Sequence, residues 1–119
     1  LKMSTNKKYF ETNKATWNNK VKVHAKSDMY NLEAFKNGKT SLMSCELNAL
    51  GDVKGKALLH LQCHFGQDTL SWSRMGAKCV GVDLSDEGIK LAQHLNGAIM
   101  KLDELLVFPL QPSVHSQLK

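Results

Sequence analysis

The sequence predicts an α/β fold in which a parallel sheet is flanked by helices and preceded by a helical segment. Three observations predict it. Ala57-Leu58-Leu59-His60-Leu61 and Cys79-Val80-Gly81-Val82 are short, nearly continuous apolar runs, the pattern of strands buried in a parallel sheet. A glycine loop and a short helical stretch separate them, so the two strands can be joined by a right-handed parallel crossover. The first fifty residues carry helical rather than strand periodicity.

Each element follows from its residues. Over 13–26, Trp17, Val21, His24 and Ala25 make one apolar stripe of a helix. A second, short helix is expected over 28–37, with Ser27 as its cap, Met29, Leu32 and Phe35 as its apolar members, and Gly38 just past its end. A third is expected over 41–50, capped by Thr40 or Ser41 and stopped by Gly51. Gly51 to Lys56 read as a turn. The first strand is expected at 57–61, then a loop through Gly66, then a helix over 67–75 closed by Gly76. The second strand is expected at 79–82, with Asp83 at its end. Ser85 then caps a helix over 86–95, and Leu84 and Ile89 are placed to staple its start. Gly88 in that first turn costs up to about 1 kcal/mol relative to Ala. Beyond it, Asn96-Gly97 signals a turn, and Ile99, Leu102 and Leu106 allow one more amphipathic helix before Pro109 and Pro112.

Composition narrows the function classes. The chain has 119 residues, 42% apolar and 23% charged, which suits one modest core and argues against disorder. No apolar run approaches the ~20 residues that span a bilayer, so no membrane partner is expected. The first residues lack a secretory signal's apolar stretch, and Cys45, Cys63 and Cys79 are odd in number. Reduced thiols and a cytoplasmic location are the expectation. The net charge of +5 is uneven, since residues 1–40 hold nine lysines against Glu11, Asp28 and Glu33. Such a third could meet nucleic acid. The lysines are scattered, however, with neither arginine nor alternating aromatics among them, so a solvated helical surface is the stronger reading.

The chemistry sits at the strand ends. A loop leaving a parallel strand and entering a helix offers free backbone N–H groups, and a glycine there lets a ligand approach the main chain. An acid at the end of the next strand can accept hydrogen bonds from a ribose diol. Gly66 and Asp83 lie 17 residues apart, close to the ~20-residue spacing of nucleoside-binding α/β units. The stretch His64-Phe65-Gly66-Gln67-Asp68-Thr69 has one glycine where a dinucleotide site needs three, and no Gly-Lys-Ser/Thr follows. Asp68 would repel a pyrophosphate. A zwitterionic or cationic ligand on a nucleoside fits better. His60, Cys63 and His64 are close in sequence, but a strand running into a loop does not give them metal-ligand spacing, and no metal is expected.

The run from Leu58 to Trp72, then Arg74, Gly76-Ala77 and Val80-Gly81-Val82-Asp83-Leu84-Ser85, resembles class I S-adenosylmethionine-dependent methyltransferases. It is most similar to the bacterial-type subset whose nucleotide loop reads like Leu58 to Trp72 here. Trp17, His24, Ser27, Tyr30, Phe35, Gly38, Glu46 and Leu50 to Gly55 extend the resemblance over about residues 9–95. The resemblance implies a Rossmann-like methyltransferase fold with S-adenosyl-L-methionine as cofactor. It places Gln62, Cys63 and Gly66 in the methionine-side loop, Asp83 on the ribose hydroxyls and Leu84 beside the adenine. His60 replaces the loop's usual first acid, and Asp68 is the candidate substitute. Tyr30 and Trp17 fall in the segment that covers the cofactor in such enzymes. No residue is assigned a catalytic role.

The expected organisation is a helical cap over 1–50, the first half of a cofactor-binding domain over 51–95, and a tail over 96–119 whose origin stays open between truncation, frameshift and a genuinely minimal domain. No third strand is legible after Leu95. The expected function is that of a methyltransferase acting on a small molecule, seen as its cofactor-binding part and inactive alone. Two alternatives stand beside it: a non-catalytic remnant or interaction module, and a basic nucleic-acid-associated protein. Both strands read as buried on both faces. An open sheet edge is expected to drive self-association or leave the chain partly folded.

Overall fold

The two apolar runs form adjacent parallel strands, β1 (Ala57–Leu61) and β2 (Lys78–Asp83), with Leu59 opposite Val80 and Leu61 opposite Val82. Helix α4 (Gln67–Arg74) joins them, and α5 (Asp86–Leu95) follows β2. The computed structural model describes residues 2–97 and 105–109. Upstream lie α1 (Lys2–His24), α2 (Leu32–Lys36) and α3 (Ser44–Leu50). The architecture is α/β with a parallel sheet, as the strand patterns predict.

A third strand, β3 (Leu105–Pro109), pairs in parallel with β2, giving the order β1-β2-β3. This corrects the expectation of an amphipathic helix reaching Leu106. Leu106 instead sits opposite Val80 in a strand, while Ile99 and Leu102 lie outside the described residues. The open edge of β2 offers a row of unpaired backbone groups, and Leu105-Leu106-Val107-Phe108 has the composition to take it. Pro109 ends the ladder opposite Asp83, a position at which a missing N–H costs little.

The sheet is covered unevenly, against the expectation of two buried faces. Leu58 and His60 are half-buried and Cys79 and Gly81 buried, whereas Leu59 and Leu61 are 64% and 63% exposed. The His60–Thr69 hydrogen bond, at 2.6 Å, marks the covered face as the one under α4. Among the described residues nothing covers the face that carries Leu59 and Leu61. Helix α4 is the centre of the core. Leu70 is wholly buried and Trp72 nearly so, packed with Phe35, Leu42, Val53, Phe65 and Leu95. Replacing Leu70 by Ala would cost roughly 2–5 kcal/mol.

The N-terminal elements differ in their limits from the sequence reading. Helix α1 runs from Lys2, well before residue 13, because periodicity registers only the half that packs; Val21 is its one buried apolar residue among those described. Ser27 does not cap α2. Its hydroxyl donates to the carbonyl of His24 at 3.0 Å and closes α1, and Asn31 caps α2 by accepting from the Ala34 N–H at 3.1 Å. Helix α3 begins at Ser44, later than the Thr40 or Ser41 cap would place it. Glu46 accepts from the Met43 N–H at 2.7 Å there, while Thr40 accepts from the Leu42 N–H at 3.1 Å. Arg74 fastens α4 to α2, donating to the Phe35 carbonyl at 2.7 Å with its guanidinium 4.2 Å from the Phe35 ring centre.

Candidate functional site

Leaving β1, the chain enters α4 through Gln62-Cys63-His64-Phe65-Gly66. Gln62 and His64 both adopt left-handed backbone, at φ 58° and 56°, and Gly66 follows at φ 84°. Such conformations cost about 1–3 kcal/mol at a non-glycine residue and persist only where the surroundings hold them. The holding bonds are specific. The Cys63 N–H donates to the Val82 carbonyl at 3.0 Å, and the Gly66 N–H to the Cys63 carbonyl at 2.9 Å. The His64 N–H donates to Oδ2 of Asp83 at 2.8 Å, and Oδ1 of Asp83 accepts from the Ser85 N–H at the same distance.

Asp83 thus ties the loop after β1 to the start of α5. Each of its carboxylate oxygens keeps a second lone pair for a further donor. Two glycines permit the close fit. A Cβ at Gly66 would sit 3.0 Å from the Ala92 Cβ, and one at Gly88 would sit 3.0 Å from the His64 carbonyl oxygen. The helix-weakening Gly88 in the first turn of α5 is therefore required by the approach of the loop. Ser85 caps α5 as the sequence predicts, accepting from the Gly88 N–H at 3.0 Å.

Helix α1 closes over this junction. His24 Nδ1 and His64 Nε2 are 3.0 Å apart, and Trp17 meets the His64 ring edge-on. Tyr30 stacks on His24 with ring centres 4.8 Å apart and leans on His64 and Phe65. Nδ1 of His64 is buried without a partner among the described residues. Burial, then the neighbouring His24, pushes the His64 imidazole below its ordinary pKa, with Asp83 opposing. Asn18 fixes the helix further along. Its Nδ2 donates to Asp86 at 2.9 Å, and its Oδ1 accepts from the Ser85 hydroxyl at 2.5 Å. Burial pushes the Asp86 carboxyl up, but the Asn18 bond and Lys14, 3.7 Å away, outweigh it and hold the group below its usual value.

Two adjoining cavities open here. One, of about 180 Å³, is bounded by Gln62, Cys63, Gly66 and His60 of the loop and strand. The other, of about 480 Å³, lies against α2 and the 39–43 segment. Tyr30, Gln67 and Asp68 line both. Gln67 is nearly buried and donates to the Tyr30 carbonyl at 2.7 Å, which fixes the wall between the two cavities. Asp68 accepts from the Ser41 hydroxyl at 2.5 Å.

The structure therefore brings Tyr30, Gln62, Cys63, Gly66 and Asp68 to one cavity wall, with Asp83 joined to the same loop by hydrogen bond. Leu84 is half-buried at the start of α5. Burial, then Asp83, pushes the Cys63 thiol up to about 12, which disfavours the nucleophilic thiolate. Burial likewise raises the Cys79 thiol to about 11. His60 spends Nδ1 on Thr69. Among the described residues no three metal-ligating side chains converge. No helix of the described residues is long and apolar enough to cross a membrane.

Sequence reasoning missed Gln67, Asn18 and Ser41. Gln67 adjoins Gly66 and could have been suspected from that position. Asn18 and Ser41 act across 67 and 27 residues respectively, and no local pattern announces such contacts.

No family model matches the chain, and no curated protein matches it. Among solved structures the chain is similar to a protein from Pyrococcus horikoshii named as a candidate RNA methyltransferase, at 23% identity and a TM-score of 0.46. The match covers 55% of this chain and 32% of that one, so the matched part spans about a third of that protein's length.

Proposed function

We propose that this chain is the cofactor-binding part of an S-adenosylmethionine-dependent methyltransferase acting on a small molecule. The observation that carries the reading is the junction of Asp83 with the glycine loop at the carboxyl ends of β1 and β2. Ligands of open α/β sheets bind outside those ends. The resemblance of the run from Leu58 to Trp72, with Val80 to Ser85, names the ligand class.

The residues present fit such a cofactor. Asp83 retains lone pairs for a ribose diol while its backbone bonds hold the carboxylate still. The strained backbone at Gln62 and His64 supports a functional reading of the loop, and the cavity beside it is bounded by Cys63 and Gly66. Asp68 and the Tyr30 ring face a space suited to a cationic or zwitterionic group, and a pyrophosphate there would meet Asp68. When bound, S-adenosylmethionine supplies a methyl group activated by its sulfonium. The chain's own residues bind and orient that cofactor, and α1 with the turn after it screens the junction from water through Trp17, His24 and Tyr30.

A small acceptor is favoured over nucleic acid. Lys14 is engaged with Asp86, Lys20 lies 4.4 Å from the Trp17 ring centre, and residues 1–40 contain no arginine to grip phosphate in a fork. Calorimetric titration tests the reading. S-adenosylhomocysteine should bind, and NADH should bind at least tenfold more weakly. The reverse order would sink the proposal.

A further inference from the structure

Helix α1 ends on a contact between two rings that have one hydrogen to share. His24 Nδ1 and His64 Nε2 stand 3.0 Å apart. Two ring nitrogens bond at that distance only when one carries a hydrogen and the other a lone pair. The far nitrogen of His64 decides which. Nδ1 of His64 is buried without a partner among the described residues. Were His24 the donor, a neutral His64 would carry its hydrogen on that Nδ1, and buried N–H groups without an acceptor are rare. The arrangement that strands no hydrogen is a neutral pair in which the His64 Nε2–H donates to His24 Nδ1. A further proton has no good place. On His64 it must sit on the buried Nδ1. On His24 it takes Nδ1 and drives the hydrogen of His64 across to the same buried atom.

The groups around the pair do little to soften this. Tyr30 stacks on His24, and Trp17, Tyr30 and Phe65 offer His64 only ring faces and edges. Burial holds the neighbouring Cys63 thiol up at about 12, so it brings no charge. Asp83 favours a cation, but its oxygens already accept the His64 and Ser85 N–H groups. At the start of α5, Asp86 is engaged by Asn18 and Lys14, and Glu87 lies 3.4 Å from Lys90. Lys20 of α1 sits over Trp17 and adds a like charge nearby. We propose that His24 is a positioning residue whose bond to the neutral His64 is a proton-released latch: it shuts the end of α1 over the loop that His64 ties to Asp83, and one added proton frees that end and weakens ligand binding at Asp83. The bonds of Asn18 to Asp86 and Ser85 remain as the hinge. The closed state holds fewer protons than the open one, so acid favours opening. The latch rests on the cofactor reading for the ligand it gates, but not for its own existence.

Three measurements on the full chain test it. Nitrogen-15 shifts of the imidazoles at pH 7.5 read the tautomer, and His64 is expected with its hydrogen on Nε2 and Nδ1 bare. Hydrogen exchange without ligand reads the closure. The protection factor of the His64 backbone amide should fall at least fivefold from pH 7.5 to 5.5. Titration with S-adenosylhomocysteine, whose own groups keep their charges over that range, reads the gating. Its affinity should fall at least fivefold over the same interval. His24→Ala should bind more weakly at pH 7.5 and lose less than twofold on acidification. His24→Asn, which keeps an acceptor near the place of Nδ1 but does not titrate, should bind at least threefold more tightly than His24→Ala and be equally insensitive to pH. A purely structural role for His24 would instead leave the parent's pH ratio in both variants, and that result overturns the proposal. So does a hydrogen on Nδ1 of His64 at pH 7.5, or a protection factor or an affinity that does not change with pH. Protection that falls with acid in a chain that binds no S-adenosylhomocysteine at either pH overturns the cofactor reading and leaves the latch standing.

Discussion

The backbone N–H of His64 donates to Oδ2 of Asp83 at 2.8 Å, and this bond joins the loop after β1 to the end of β2. A carboxylate in that position does two things. It holds a left-handed residue in place, and under the proposed function it is the group that would meet a ribose.

Asp83→Ala should therefore weaken S-adenosylhomocysteine binding by roughly 1.5–3 kcal/mol, because it deletes charge-assisted hydrogen bonds. Asp83→Asn keeps one acceptor and should lose less. Titration calorimetry reads both, and equal affinity in Asp83→Ala and the parent would remove Asp83 from the site.

Acid should loosen the closure of α1. The folded protein holds His64 below its ordinary pKa of 6.5 through burial and His24, so the unfolded chain binds more protons once the pH drops below that value. The stabilisation is complete above about pH 6.5 and is lost as pH falls toward the lowered folded value. Thermal unfolding at pH 5.5 should show a lower Tm than at 7.5, and His64→Gln should flatten the dependence. A parent Tm independent of pH over this range would contradict the account.

Gly88→Ala poses two effects of opposite sign. Alanine gains about 1 kcal/mol in helix propensity. Its Cβ would stand 3.0 Å from the His64 carbonyl oxygen, backbone that cannot retreat without breaking the bonds of the loop. Overpacking of this kind costs typically ~1–3 kcal/mol, so a net loss of stability is expected in denaturant unfolding. A stabilised variant would mean that the loop moves freely.

The exposed side chains of Leu59 and Leu61 lie on β1, whose free edge has no partner strand among the described residues. The chain should self-associate as its concentration rises, through that edge and the apolar face beside it. Leu59→Lys with Leu61→Lys should raise the fraction of monomer in light scattering without lowering the Tm. A parent chain that stays monomeric at high concentration would refute this expectation.

Much of this arrangement was legible in the chain itself because its causes are local. The apolar runs at 57–61 and 79–82 made strands, Ser85 made a cap, Gly51 and Gly76 ended their segments, and Gly66 and Asp83 fell in the loop after β1 and at the end of β2. The partners of these residues were not legible. Leu106 joined a strand because β2 offered an open edge, which no pattern in residues 96–109 records. Leu59 lost the cover its sequence implied because α4 packs on one face of the sheet, that of His60. Asn18, Ser41 and Gln67 gained their roles only when α1, the 39–43 segment and α4 met. Periodicity and capping act over a few residues, so sequence alone determined the strands β1 and β2 and the helices around them. Hydrogen bonds and burial between distant segments depend on how those elements dock, and only the tertiary structure decided which side chains share a cavity.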